Sequence, residues 1–377
     1  MRSLLFVVAS FAVTILAWGL YGPVLHWGQA GMATDGGYAR LRPFVCVGMA
    51  YFAIGVVVPA VVLKLKGEQG DWTAKGIVFS LAGGAVGAIG ALGIIMAFNF
   101  GGKPVYVMPL VFGGAPVVNS FLTIYMAKRM KEIGPIFIAG LVMVLLGALT
   151  VLINKPSPPK VEVKAEVAAT AEADDAGVVE TASSKFLDLC FQIGSIALTI
   201  VCWGAYGPVL HKGQAAMHNS RLRPLLCVGL AYFLIAVIVP EIWLTAADEA
   251  SKYTFSGTIW SLAAGSAGAI GALGIIMAFN FGGKPVFVMP LVFGGAPVVN
   301  TVFTTSTSGL WGEVSPLFFS GLILVIAGAA MVLVFAPKGG PPPKPEETEP
   351  AKEEKAEEKS EEAEASESDA AEKSSDE

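Results

Sequence analysis

"GAIGALGIIMAFNFGGKPVYVMPLVFGGAPVVN", from Gly87 to Asn119, returns from Gly268 to Asn300 with one difference, Tyr106 against Phe287. Self-similarity over such a length marks an internal duplication. Working outward, "WGLYGPVLHWGQ" from Trp18 returns as "WGAYGPVLHKGQ" from Trp203, and "RLRP" from Arg40 returns from Arg221. The offset is 185 residues at Trp18 and 181 at Arg40, so the loop between these motifs is four residues shorter in the second copy.

The quoted stretch is almost wholly apolar, and the chain around it is similar. Of 377 residues 54% are hydrophobic and 15% charged, with mean hydropathy +0.65. A helix needs about 20 apolar residues to cross hydrocarbon, and in lipid the backbone must satisfy its own hydrogen bonds. The alternation that marks a lipid-facing barrel is absent. Each copy holds five such stretches: residues 4–26, 43–63, 76–100, 105–126 and 135–153, then 186–211, 224–244, 257–281, 286–307 and 316–335. The stretch after Arg2 could pass for a secretory signal. Its partner near Phe186 lies mid-chain, so the first is read as a retained helix.

Between and after the copies the composition changes. Lys338 to Glu377 carries 15 acidic and 6 basic side chains and no aromatic residue, a composition unable to bury enough surface to fold. The segment from Lys155 to Lys185 has 6 acidic and 4 basic residues. The expected organisation is a first five-helix repeat at 1–154, an acidic extracytoplasmic linker at 155–185, a second repeat at 186–337, and a disordered acidic cytoplasmic tail at 338–377. Cys46, Cys190, Cys202 and Cys227 have no metal-like spacing and read as free thiols.

Five helices per copy is an odd number, so the copies enter the membrane from opposite sides. The positive-inside bias agrees: 13 basic residues fall on the N-terminal side and 8 on the other, four of them in the linker. "MAKRMKEIG", after the fourth stretch, carries three positive charges, while its counterpart "STSGLWGEVSP" carries none. The fold class is therefore all-α and integral to the membrane, ten transmembrane helices as two inverted five-helix repeats. Both termini are expected in the cytoplasm and the protein in the cell (inner) membrane.

Inverted repeats commonly support alternating access, with a substrate site near the midplane. Glycine recurs every third residue at Gly84, Gly87, Gly90 and Gly93, and at Gly265, Gly268, Gly271 and Gly274, a pattern for close helix packing or a glycine-lined passage. The fourth and ninth stretches carry Pro109, Gly113, Pro116 and Asn119, matched by Pro290, Gly294, Pro297 and Asn300. Prolines remove backbone donors and should kink these helices, which a membrane tolerates against protein or a wet cavity. These eight residues are the candidate substrate pathway, although the two asparagines could equally bridge helices.

A polar cluster falls at each end. His26, Gln29, Arg40, Arg42, Asn99 and Lys103 share one face of the membrane, and His211, Gln214, Arg221, Arg223, Asn280 and Lys284 the other. Lys103 and Lys284 stand at helix starts, where the dipole favours anions. The clusters read as paired gates or basic mouths, or as interfacial residues contacting lipid phosphate. Intramembrane carboxylates are nearly missing, so proton relays lack their usual residues.

The pattern resembles the drug/metabolite transporter superfamily, in particular its EamA-like domains. The likeness covers residues 4–153 and 186–335. It rests on Trp18-Gly19 with Pro23, mirrored by Trp203-Gly204 with Pro208; on the short turns after Ala97-Phe98 and Ala278-Phe279; on Pro116 and Pro297; and on the small-residue stretch "GLVMVLLGALTVL". The family's Gly-Glu pair before the fifth helix is replaced by Lys131-Glu132 in the first copy. The resemblance implies ten helices, both termini inside, and alternating access for a small metabolite.

The expected function is a multi-pass transporter of a small polar or anionic metabolite. Its expected partners are the lipid bilayer and that solute, with no nucleic acid, no metal and no cofactor, and a homodimer is compatible. The competing reading is a non-transporting scaffold or sensor whose acidic tail binds a partner. An enzyme is not expected, because the spans hold no catalytic arrangement of Ser, His and Asp and no paired carboxylates.

Overall fold

A computed structural model describes residues 2–126, 128–156, 182–218, 220–246, 249, 251–281 and 285–337. Most of the expected linker and the whole acidic tail lie outside the described residues. The first copy folds as α1 (Arg2–Met32), α2 (Leu41–Lys66), α3 (Ala74–Asn99), α4 (Pro104–Met126) and α5 (Pro135–Ile153). The second folds as α6 (Ala182–Ala216), α7 (Leu222–Ala246), α8 (Phe255–Asn280), α9 (Pro285–Thr307) and α10 (Pro316–Phe335). Among the described residues nine of these helices are long and apolar enough to cross a membrane, and α9 is a further helix of 23 residues.

Local sequence explains most of the boundaries. Thr73 caps α3 by accepting a hydrogen bond from Gly76 N, and Thr254 caps α8 by accepting one from Gly257 N, both at 3.0 Å. Pro135 and Pro316 open α5 and α10, where a missing N–H costs nothing. In α2 and α7 the helix widens to a π turn over Ala53–Val57 and Leu234–Ile238. Pro59 and Pro240 follow each at the same spacing and cannot donate to the carbonyl one turn back.

One expectation is corrected here. The first helix runs to Met32 and its equivalent to Ala216, several residues past the expected ends at His26 and His211. The α1 helix continues past His26 to Met32, and the amide nitrogen of its buried Gln29 is bonded inside the fold to Ala39 O. α4 and α9 each form one continuous helix that includes their prolines.

The copies are interleaved. Each first helix packs on the third helix of the other copy, α1 on α8 and α6 on α3. Trp18 Nε1 donates to Gly268 O and Trp203 Nε1 to Gly87 O, both at 3.2 Å. Thr14 Oγ1 donates to Gly271 O (2.9 Å) and Thr199 Oγ1 to Gly90 O (3.0 Å). The repeated glycines are the receiving surface for these contacts. A Cβ at Gly271 would sit 2.2 Å from Trp18 Cδ1, and one at Gly84 would sit 2.7 Å from Val228 Cα. In the interior several equivalent residues meet each other: Tyr51 stacks on Tyr232 at 3.8 Å, and Phe52 lies on Phe233 at 4.6 Å.

The outside is apolar. On α5, Leu145, Leu149 and Ile153 are exposed, as are Ile323 on α10 and Phe6 on α1. Apolar surface on this scale is not tolerated in water. The chain is a multi-pass, all-α membrane protein.

Filling a glycine notch should therefore cost stability, whereas filling an open one should not. Gly271→Ala is expected to destabilise the detergent-solubilised protein by about 1–3 kcal/mol. Gly194→Ala, on α6 with no neighbour within 4 Å of the added carbon, is expected to leave the thermal midpoint unchanged or raised. Equal midpoints for the two variants would contradict this packing.

Candidate functional site

The two "RLRP" motifs open α2 and α7, and each is held by the other copy. At the Arg221 end, Glu68 in the α2–α3 loop accepts hydrogen bonds from Arg221 N (2.9 Å), Leu222 N (3.1 Å) and Ser220 Oγ (2.6 Å). Arg223 pairs with Glu68 at 3.8 Å, donates to Glu68 O and Gln69 O, and lies over the Trp72 ring. At the Arg40 end, Glu249 in the α7–α8 loop accepts from Arg40 N (2.6 Å) and Leu41 N (3.3 Å). Arg42 pairs with Glu249 at 3.9 Å, donates to Ser251 Oγ, and lies over the Tyr253 ring.

The central partners are repeat equivalents, Glu68 with Glu249 and Trp72 with Tyr253, at the 181-residue offset. A carboxylate at a helix N-terminus meets free N–H groups and the positive dipole end together. These two reciprocal latches give Arg40 and Arg42, like Arg221 and Arg223, a structural role that does not depend on topology. Neither glutamate was among the candidate residues. The signal was there, since an acidic residue recurs in register between loops that otherwise differ, "GEQGDWT" and "DEASKYT".

Additional backbone contacts brace each end. Lys252 N donates to Met32 O at 2.8 Å beside the Ala33–Ser251 bridge. Thr254 Oγ1 donates to Gly31 O at 2.6 Å, and its equivalent Thr73 Oγ1 donates to Ala216 O at 2.9 Å. Burial, with the hydrogen bond and charge of Glu241, holds the Tyr253 phenol above its usual range.

The remaining end residues differ between the copies. In the first copy Gln29 is fully buried and donates to Ala39 O (2.9 Å) and Ile95 O (3.1 Å), while Asn99 Nδ2 donates to Tyr38 O at 2.8 Å. His26 packs against Tyr38 and Phe98. In the second copy His211 is exposed and Gln214 half-buried. Lys284 and the side chain of Asn280 lie outside the described residues.

A cavity of about 250 Å³ opens beside this first cluster, between α1, the start of α4 and the end of α9. His26 and Trp27 form one wall, Lys103 and the first turn of α4 another, and Thr304, Thr307 and Ser308 a third. Thr304 Oγ1 and His26 Nδ1 are buried without a hydrogen-bond partner. Burial, and then the charge of Lys155, lowers the pKa of the Lys103 ammonium.

The candidate pathway residues are placed variously. Pro109, Gly113 and Pro116 are buried on α4, with Gly113 against Val325 of α10. Gly294 faces Ile326 of α10, and Pro297 is buried. Pro290 lies within α9, but its side chain is outside the described residues. Asn119 lies against Gly207 of α6. Asn300 is fully buried and donates to Pro104 O at 2.7 Å, tying α9 to the start of α4. At the centre, Trp18, Trp203, Phe112 and Phe293 occupy the space between the copies, with centroid spacings of 6.3–6.4 Å along the cluster.

Comparison with known proteins finds no family model that matches the chain and no curated protein with significant similarity to it.

The latches carry a direct stability test. Glu68→Ala and Glu249→Ala should each cost on the order of 1–2 kcal/mol, the value of a helix-capping acceptor. Glu68→Gln and Glu249→Gln, which keep an acceptor, should cost less. Thermal unfolding in detergent reads the order, and alanine variants melting like the parent would show that the latches hold nothing.

Proposed function

We propose that the protein is a secondary transporter or facilitator for a small polar or anionic metabolite. In this reading it is built as two inverted five-helix repeats of ten spans, with both termini in the cytoplasm of a cell (inner) membrane. The architecture is of the kind seen in drug/metabolite transporters with EamA-like domains. The observation that carries the reading is the reciprocal pair of latches. Two equivalent carboxylate–arginine closures sit at opposite ends of interleaved, near-identical units, so opening one does not require opening the other. That is the mechanical requirement of alternating access.

The inverted arrangement draws on contact order. Gly140 lies against Met331 and Gly147 against Val325, so the equivalent helices α5 and α10 run antiparallel. Gly48 meets Ala236 and Gly55 meets Gly229, which gives α2 and α7 the same relation.

The orientation draws on one backbone position. Lys128 holds a left-handed φ of 57°, where its equivalent Gly309 has 64°. A non-glycine residue there is strained by about 1 kcal/mol. A lysine retained at such a position, in the loop with the three positive charges, fits a role in setting topology.

The second reading, a non-transporting scaffold or sensor, has its own observation in the aromatic filling between the copies. Transport requires those rings to part; a scaffold does not. Purified protein in proteoliposomes, challenged with a panel of radiolabelled amino acids, sugars and organic anions, separates the two. Flux of at least one solute is expected, reduced several-fold by Asn300→Leu, which removes the tie between α9 and α4. A panel with no flux for any solute overturns the transporter reading.

A further inference from the structure

We propose that the cavity beside His26 is a binding site for the phosphate group of a small solute, with Lys103 as its counter-charge and Thr304 as its buried hydrogen-bond donor. The proposal deepens the transport reading, and rests on it only in treating the bound group as cargo.

Among the described residues the cavity lining holds Lys103 and His26 and no carboxylate. Lys103 stands at the start of α4, and Pro104 and Val105 of the first turn line the wall beside it. Pro104 has no N–H and the N–H groups of Tyr106 and Val107 are bonded to Lys103 O, so what this helix start offers an oxyanion is chiefly the positive end of its dipole beside the Lys103 charge.

Independent of that helix start, Thr304 is 6% exposed and its Oγ1 has no partner. A helical threonine ordinarily returns its hydroxyl to a preceding carbonyl, as Thr307 does to Phe303 O at 2.9 Å. A buried, unpartnered hydroxyl costs stability unless something else accepts its proton. Lining the same wall, Thr307 and Ser308 add two further hydroxyls near the opening.

The comparison between copies shows that this hydroxyl group belongs to one end. After the shared stretch closes at Asn119 and Asn300, α4 continues "SFLTIYMAK" and α9 "TVFTTSTSG". Thr304 has an equivalent in Thr123, but Thr307 and Ser308 correspond to Met126 and Ala127. Trp27 on the facing wall corresponds to Lys212. Beside Lys103 the chain places hydroxyls and an aromatic ring where the equivalent positions of the other copy hold Met126, Ala127 and Lys212. The volume, about 250 Å³, falls below the roughly 300–1,000 Å³ of drug-sized sites, so the occupant is small.

The test uses the full chain, in detergent and in nanodiscs of neutral lipid, titrated with inorganic phosphate at constant ionic strength against chloride. Phosphate is expected to raise the thermal midpoint saturably in both media. Thr304→Val should weaken the apparent affinity about tenfold or more. Lys103→Gln should abolish the effect, and Lys103→Arg should retain it, which separates lost charge from lost folding. A phosphate effect that disappears when anionic lipid is added to the nanodisc supports the same chemistry with a lipid headgroup as its source; persistence supports a free solute. No stabilisation in either medium, or equal stabilisation of Thr304→Val, Lys103→Gln and the parent, overturns the site. Binding without flux of any phosphate-bearing solute would overturn the transport reading and leave the site standing.

Discussion

The indole of Trp18 seated on the Gly268–Gly271 notch, with its N–H on the Gly268 carbonyl, and the mirrored seating of Trp203 on Gly87–Gly90, hold the two copies together. In lipid there is no hydrophobic drive between helices, so association depends on close packing and on hydrogen bonds with no water to compete. A glycine at every third position supplies both: it lets a ring approach the backbone and leaves a carbonyl within its reach. Thr14 and Thr199 repeat the device one turn away. Because each bond runs to the opposite copy, neither five-helix unit completes its own interior, and the duplication is a structural necessity of this fold.

That dependence accounts for the ends as well. Once α1 lies along α8 and α6 along α3, the loop after each second helix is delivered to the start of the other copy's second helix. Glu68 and Glu249 arrive where free N–H groups and an arginine wait. The latches are thus a consequence of interleaving, and their strength is tuned locally by Trp72 in one and Tyr253 in the other.

The helices were legible because lipid imposes a length and a polarity on them, and the repeat allowed each boundary to be read twice. The π turns were not read, since the proline that causes them looks from the sequence like an ordinary kink. The prolines of α4 do not end it: with buried neighbours along most of its length, the helix continues through them. At the ends, the sequence placed His26, Gln29, Asn99 and Lys103 in one cluster because duplication and helix count put them on one face. It missed Glu68 and Glu249 because their partners lie more than 150 residues away in the chain, and no periodicity links a loop carboxylate to a distant helix start. Thr304 was missed for a different reason. A Thr/Ser run at the end of an apolar stretch reads as helix fraying until the fold brings Lys103 opposite to it.

The two ends, equivalent in their latches and in the caps of Thr73 and Thr254, are unequal around the histidine and glutamine. Gln29 is buried and doubly bonded, and its equivalent Gln214 is half-buried; His26 is packed between rings, and His211 is exposed. Near-identical sequences in these positions cannot produce that difference by local preference, since "GPVLH" leads into both. One source of the difference is on the first copy's side: the loop after α1 is four residues longer and folds Tyr38 and Ala39 back over His26 and Gln29. A lengthened loop, a hydroxyl-bearing helix end and an aromatic wall all gather at the Arg40 end. Divergence of a duplicated unit concentrated at one end makes the two ends of a repeated frame chemically distinct, so that each presents its own surface to whatever meets it.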